Sequence, residues 1–184
     1  MRIASHVLAS GLALACFGAN AADVAKPAAT IEDEFEITHS HERDQCRIVG
    51  ATFYRLAEQR KAGNDEHGAT RRVQDWLAGL SRTGSHNQKD YAGAVAGTAS
   101  FVYKQAGLNS ISLGGFGKAS CLLEFAFDRD PARKTAGIVE LYKATVACQK
   151  DHPGDTANGA LSGCIKDAEL AIVERVRTAR IEVK

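Results

Sequence analysis

Residues 40–63 read SHERDQCRIVGATFYRLAEQRKAG, and the apolar residues Cys46, Val49, Phe53 and Leu56 fall within them at spacings of three, four and three. That is the period of an α-helix with one buried face, because residues three or four apart share a side of the helix. The ends agree with the period. Ser40 is a residue type that caps a helix by accepting a backbone N–H, and Glu42 and Asp44 lie where the positive end of the helix dipole favours carboxylates. Arg60 and Lys61 complement the other end, and Gly63 supplies the residue on which helices commonly stop.

The same spacing recurs along the chain. Val73, Trp76, Leu77 and Leu80 predict a second helix, capped at Asp65 or Thr70 and ending near Gly84. Tyr91, Val95, Thr98 and Val102 predict a third, started at Ser85 or Asn87, although Phe101, Val102 and Tyr103 also suit a strand. Small residues surround that stripe (Gly93, Ala94, Ala96, Gly97, Ala99), and they permit a neighbouring helix to approach closely. Residues 107–117, GLNSISLGGFG, read as irregular chain, followed by a short helix with Cys121, Leu122 and Phe125. Asp130-Pro131 marks a fifth start, with Asp as cap and Pro in the first turn. Ile138, Leu141, Thr145 and Cys148 form its stripe, and Pro153-Gly154 follows its end. A last helix starts between Asp155 and Ala160 and carries Leu161, Ile165, Ala168 and Ile172. The expected fold is all-α: an irregular bundle of five to six amphipathic helices over residues 39–184.

Two segments precede it. Residues 1–21 read as a signal peptide: Arg2 gives the positive start, and VLASGLALACF (7–17) is an apolar run. The run falls short of the ~20 residues that span a bilayer. Ala19-Asn20-Ala21 supplies the small-x-small cleavage pattern, with cleavage expected after Ala21. Ala13-Leu14-Ala15-Cys16 departs from a lipidation signal in two positions, so Cys16 is expected to leave with the signal. Residues 22–38 combine acidic clusters with no sustained period and read as a tail or linker. Removal of residues 1–21 takes Arg2 away and leaves equal numbers of basic and acidic side chains. No steering toward nucleic-acid phosphates is expected from such a balance. The mature chain is expected to have no transmembrane span and to be periplasmic or secreted.

Cys46, Cys121, Cys148 and Cys164 then remain, and an even count in an exported chain predicts two disulfides. With Cys121 at the start of a short helix, a strict up-and-down bundle separates Cys46 from the other three. Bridged Cα atoms lie within ~7 Å. Residues 107–117 are therefore expected to run back along the bundle as an extended crossover, with a reach of about 33 Å at ~3.3 Å per residue. All four sulfurs then gather at one end. Two pairings satisfy this, Cys46–Cys148 with Cys121–Cys164 and Cys46–Cys121 with Cys148–Cys164.

Sites for chemistry are sparse. His39 and His41, beside Glu42 and Asp44, form the densest group of polar ligands, and two histidines one residue apart can chelate a transition metal from an extended segment. A third anchored ligand is missing, and a solvated helix start is the simpler explanation of the group. His67, His86 and His152 sit at helix starts, loops or ends. The serines lack the GxSxG frame of a nucleophile elbow. Asp128 and Asp130 bracket Arg129 at a helix junction, where capping is the expected role, and Glu32, Asp33 and Glu34 read as a solvated run in the tail. Gly114-Gly115-Phe116-Gly117 before Lys118 faintly suggests an anion cradle but lacks the P-loop spacing. Three functional readings follow. The first is an exported, non-catalytic helical protein that binds a partner protein or small ligand with no cofactor, in its sharper form an envelope immunity or inhibitor protein. The second is a metal-binding envelope protein using His39 and His41. The third is an enzyme whose site forms only in three dimensions.

Overall fold

The computed structural model describes residues 40–81, 88–127, 129–153 and 159–181. The signal at 1–21, the tail at 22–38, His39, His86 and Asp128 lie outside them. The described residues form six α-helices and no strand: α1 (Ser40–Lys61), α2 (Glu66–Ser81), α3 (Gln88–Lys104), α4 (Ser110–Ala126), α5 (Pro131–Asp151) and α6 (Ala160–Ile181). None of them is long and apolar enough to cross a membrane.

The punctuation read from sequence is largely present. Asp65 accepts from the Gly68 amide at 2.7 Å and so starts α2, and Asp130 accepts from Arg133 and starts α5 with Pro131 behind it. Gly63 adopts φ +80° after α1. Its amide donates to the Arg60 carbonyl at 3.0 Å and the Asn64 amide to the Gln59 carbonyl at 3.1 Å, which closes the helix end as a Schellman turn. Ser40 is already helical, one position inside its expected capping place.

Phe101, Val102 and Tyr103 are helical, in the last turns of α3, so the helix expected there is present and the strand alternative is not. On α2, Ala69, Val73 and Leu77 are buried and Trp76 packs half-buried against the same cluster, with the Arg55 guanidinium 4.2 Å above its ring. A correction concerns residues 107–117, which are not an extended crossover. Helix α4 begins at Ser110, and the Asn109 side chain caps it by accepting from the Ser112 amide at 2.8 Å. Cys121 thus lies far down a long helix rather than at the start of a short one.

The chain consequently runs strictly up and down. Gly50 of α1 faces Gly114 and Lys118 of α4, and Cys46 bonds Cys121, so these two helices are antiparallel. Cys46–Cys121 closes one end of the bundle with Cα atoms 5.3 Å apart. Cys148–Cys164 joins the end of α5 to the start of α6 at 5.8 Å, and it lies at the opposite end. The four sulfurs do not gather together. The pairing is the second of the two alternatives.

Glycine explains why a segment that reads as loop is helix. At Gly50 a Cβ would lie 2.8 Å from the Gly114 carbonyl oxygen, and at Gly117 it would lie 2.6 Å from the Phe53 ring. The α1–α4 pair, the most extensive in the fold, closes on these missing side chains. Packing therefore overrides the low helix propensity of glycine, ~1 kcal/mol per residue against alanine.

Two buried clusters fill the bundle. One lies among α1, α2, α3, the α3–α4 turn and the first turn of α4 and includes Leu56, Val73, Leu77, Val102 and Leu113. The other lies among α4, α5 and α6 and includes Leu123, Phe127, Leu141, Leu161 and Ile165. Phe53, Phe101, Phe116 and Tyr142 join them, the Phe101 and Phe116 rings stacked at 5.6 Å. The α3–α4 turn is held by polar side chains. Arg60 donates to the carbonyls of Val102, Gln105 (2.8 Å) and Leu108. Gln149 donates to the Gly107 carbonyl at 2.7 Å and accepts from the Asn109 amide and the Ser112 hydroxyl.

Candidate functional site

Helices α1 and α6 both pack on α4 but barely on each other, which leaves a groove between them. Three helices line it with one repeated spacing. Helix α1 contributes Arg47, Gly50, Ala51 and Tyr54. The floor on α4 is Ile111, Gly114, Gly115 and Lys118. The third wall is Gly159, Ser162, Gly163 and Lys166 at the start of α6, with Glu169 a turn further on. In each set the residues are at i, i+3, i+4 and i+7, one face of a helix, with Gly159 (φ +68°) just ahead of the first turn of α6. The groove holds about 640 Å³, inside the ~300–1,000 Å³ range of small-molecule sites.

Small residues make the groove deep. A Cβ on Gly115 would meet Ile165 Cδ1 at 3.0 Å and one on Gly114 would meet Tyr54 Cβ at 3.1 Å, so α4 sits sunk between its neighbours. Gly163 differs: a Cβ there would meet nothing within 4 Å, because it opens on the groove itself.

The charge is uneven. The lining carries Arg47, Lys118 and Lys166 against one carboxylate, Glu169, which is 6% exposed. Lys118 is half-buried and makes no hydrogen bond or ion pair among the described residues. Arg47 approaches Asp44 at 3.5 Å, but both side chains are over 70% exposed (72% and 75%), and such pairs hold weakly. A second cavity of about 320 Å³ lies between α1, α3 and α4, beside the Cys46–Cys121 bond. Its walls include Phe53, Val95 and Phe125, with Glu124 as their charged member.

Gly114, Gly115 and Lys118, read from sequence as a faint anion cradle, lie on the groove floor, whereas the described histidines lie elsewhere. His41 is in the first turn of α1, and among the described residues no three His, Cys, Asp or Glu are placed to hold a metal. His67 is exposed on α2 and His152 ends α5. Since α2 packs on α1 and α3, and α5 on α4 and α6, the fold does not bring these two together. Ser112 donates to Gln149, Ser120 to the Gly117 carbonyl, and all four described cysteines are oxidised. Tyr103, whose hydroxyl donates to the Asn64 carbonyl at 2.7 Å, has its pKa raised by burial and then by the nearby Asp65 carboxylate. It ties α3 to the α1–α2 turn, a structural task.

Sequence reading found part of the floor, Gly114, Gly115 and Lys118, but missed the walls. The signal for them was present as sets at i, i+3, i+4, i+7 with small residues in the middle and a basic residue at one end of each, Arg47, Lys118 and Lys166, on helix faces other than the cysteine stripes. No protein family, curated protein or solved structure matches the chain.

Proposed function

We propose that the protein is an exported, non-catalytic helical protein, periplasmic or secreted, that binds a small ligand in the groove between α1, α4 and α6. The groove carries this reading: its size, its apolar floor and its few polar groups on one side are the features of small-molecule sites. Export is supported by the signal pattern at residues 1–21 and by the two disulfides. Binding is favoured over catalysis because, among the described residues, His67 and His152 lie apart and Ser112 and Ser120 are taken up in structural hydrogen bonds. A small ligand is favoured over a protein partner because the exposed large apolar residues Tyr54, Phe125, Val139 and Val146 are spread over three helices.

Gly163→Leu tests the reading, since its side chain fills the groove without meeting the packed core. The mature chain and this variant are compared by thermal shift against a panel of small organic anions, cations and neutral compounds. Compounds that raise the melting temperature of the mature chain are expected to lose that effect in the variant. A panel in which every shift is the same for both proteins counts against the groove.

A further inference from the structure

We infer that the groove takes an amphiphilic organic anion, with its charged head at the Cys46–Cys121 end and its apolar body along the α4 floor. The inference rests on the groove being the ligand site and names what that ligand is. Helix register carries it. Tyr54 stands opposite Gly114, and Gly50 opposite Gly114 and Lys118, so Arg47 lies further toward the Cys46–Cys121 end. Ile165 stands against Gly115, which places Lys166 on the same side of the midpoint. The three cations therefore occupy one half of the groove. Glu169, one turn beyond Lys166, lies in the same half, so that half holds three cations against one buried carboxylate and is net positive, with Arg47 and Lys118 on helices other than the one that carries Glu169. Ile111, Tyr54, Ser162 and Gly159 line the other half, which holds no charged side chain among the described residues.

A polarised groove selects a polarised ligand. The floor from Ile111 to Ala119 runs about 12 Å at 1.5 Å per residue, long enough for an extended alkyl or aryl body. Glycine gives that body backbone to lie on rather than side chains to displace. A half-buried ammonium such as Lys118 is drawn to an anion more strongly than an exposed one, because less water screens the pair. A carboxylate or a phosphate head meets this requirement equally well.

Calorimetric titration of the mature chain with decanoate and with decyl phosphate tests the inference, with decyltrimethylammonium and acetate as controls. At least one decyl anion is expected to bind at submillimolar concentration, and the one that binds identifies the head. Lys118→Glu is expected to weaken binding at least tenfold, and Gly163→Leu to abolish it. Circular dichroism of both variants checks that the bundle is intact. Equal binding of decyltrimethylammonium, acetate binding as tightly as decanoate, or indifference to Lys118→Glu overturns the inference. If neither decyl anion binds, yet other compounds still lose binding in Gly163→Leu, the ligand class is wrong and the groove stands. If no compound is affected by Gly163→Leu, both are wrong.

Discussion

Gly63 shows how much one residue decides. Its φ of +80° is open to glycine but costs an L-residue ~1–2 kcal/mol. A Cβ there would meet nothing within 4 Å, so the backbone conformation is the whole effect. Gly63→Ala is expected to lower stability by about 1–2 kcal/mol in urea unfolding, with an unchanged m-value. Tyr103 gives a pH-dependent counterpart. Its folded-state pKa is raised above the ordinary 10.0, by burial first and Asp65 second. The folded state thus holds the phenolic proton more tightly, so the stabilisation is complete below pH 10 and disappears as pH climbs through the folded value. Unfolding of the wild type and Tyr103→Phe at pH 8 and pH 11 is expected to show the tyrosine's advantage shrinking at the higher pH. The Gly63 stop was legible in sequence because a basic last turn preceded it. The Tyr103 contact was not, because its partner carbonyls belong to a turn nearly forty residues away.

Among the elements, α4 separates what sequence could reveal from what it could not. Stripes at three and four residues identified α1, α2, α5 and α6, and Asp130-Pro131 marked the start of α5. Residues 110–117 carry three glycines and two serines, and local propensity argues against a helix there. The helix forms because those glycines let α1 and α6 pack against its backbone, information that resides in other parts of the chain. The Asn109 cap was the one local clue. This account predicts an inverted propensity effect. Gly117→Ala improves intrinsic helicity by ~1 kcal/mol but places a methyl group against the Phe53 ring, where overpacking costs ~1–3 kcal/mol. Gly117→Ala is expected to be less stable than wild type in chemical denaturation, whereas the same change at Gly163, open on the groove, is expected to be stabilising.

For the whole molecule, the disulfides are the main constraint on the unfolded chain. Cys46–Cys121 spans 75 residues and Cys148–Cys164 spans 16. By loop-closure entropy the longer is worth about 4.5 kcal/mol and the shorter about 3. Replacing Cys46 and Cys121 together by alanine is expected to lower the unfolding midpoint more than replacing Cys148 and Cys164, as measured in parallel urea melts. The all-helical bundle and the participation of four cysteines were legible in composition and period. Their positions at opposite ends were not, because one misread helix start displaced Cys121 along the bundle. The observed pairing joins the four described cysteines in sequence order, first to second and third to fourth, so the two loops neither overlap nor interlock. A chain threaded amino-terminus first into an oxidising compartment presents each sulfur's proper mate as the next to arrive. For a chain entering in that way, bonds made in order of emergence would be the observed ones.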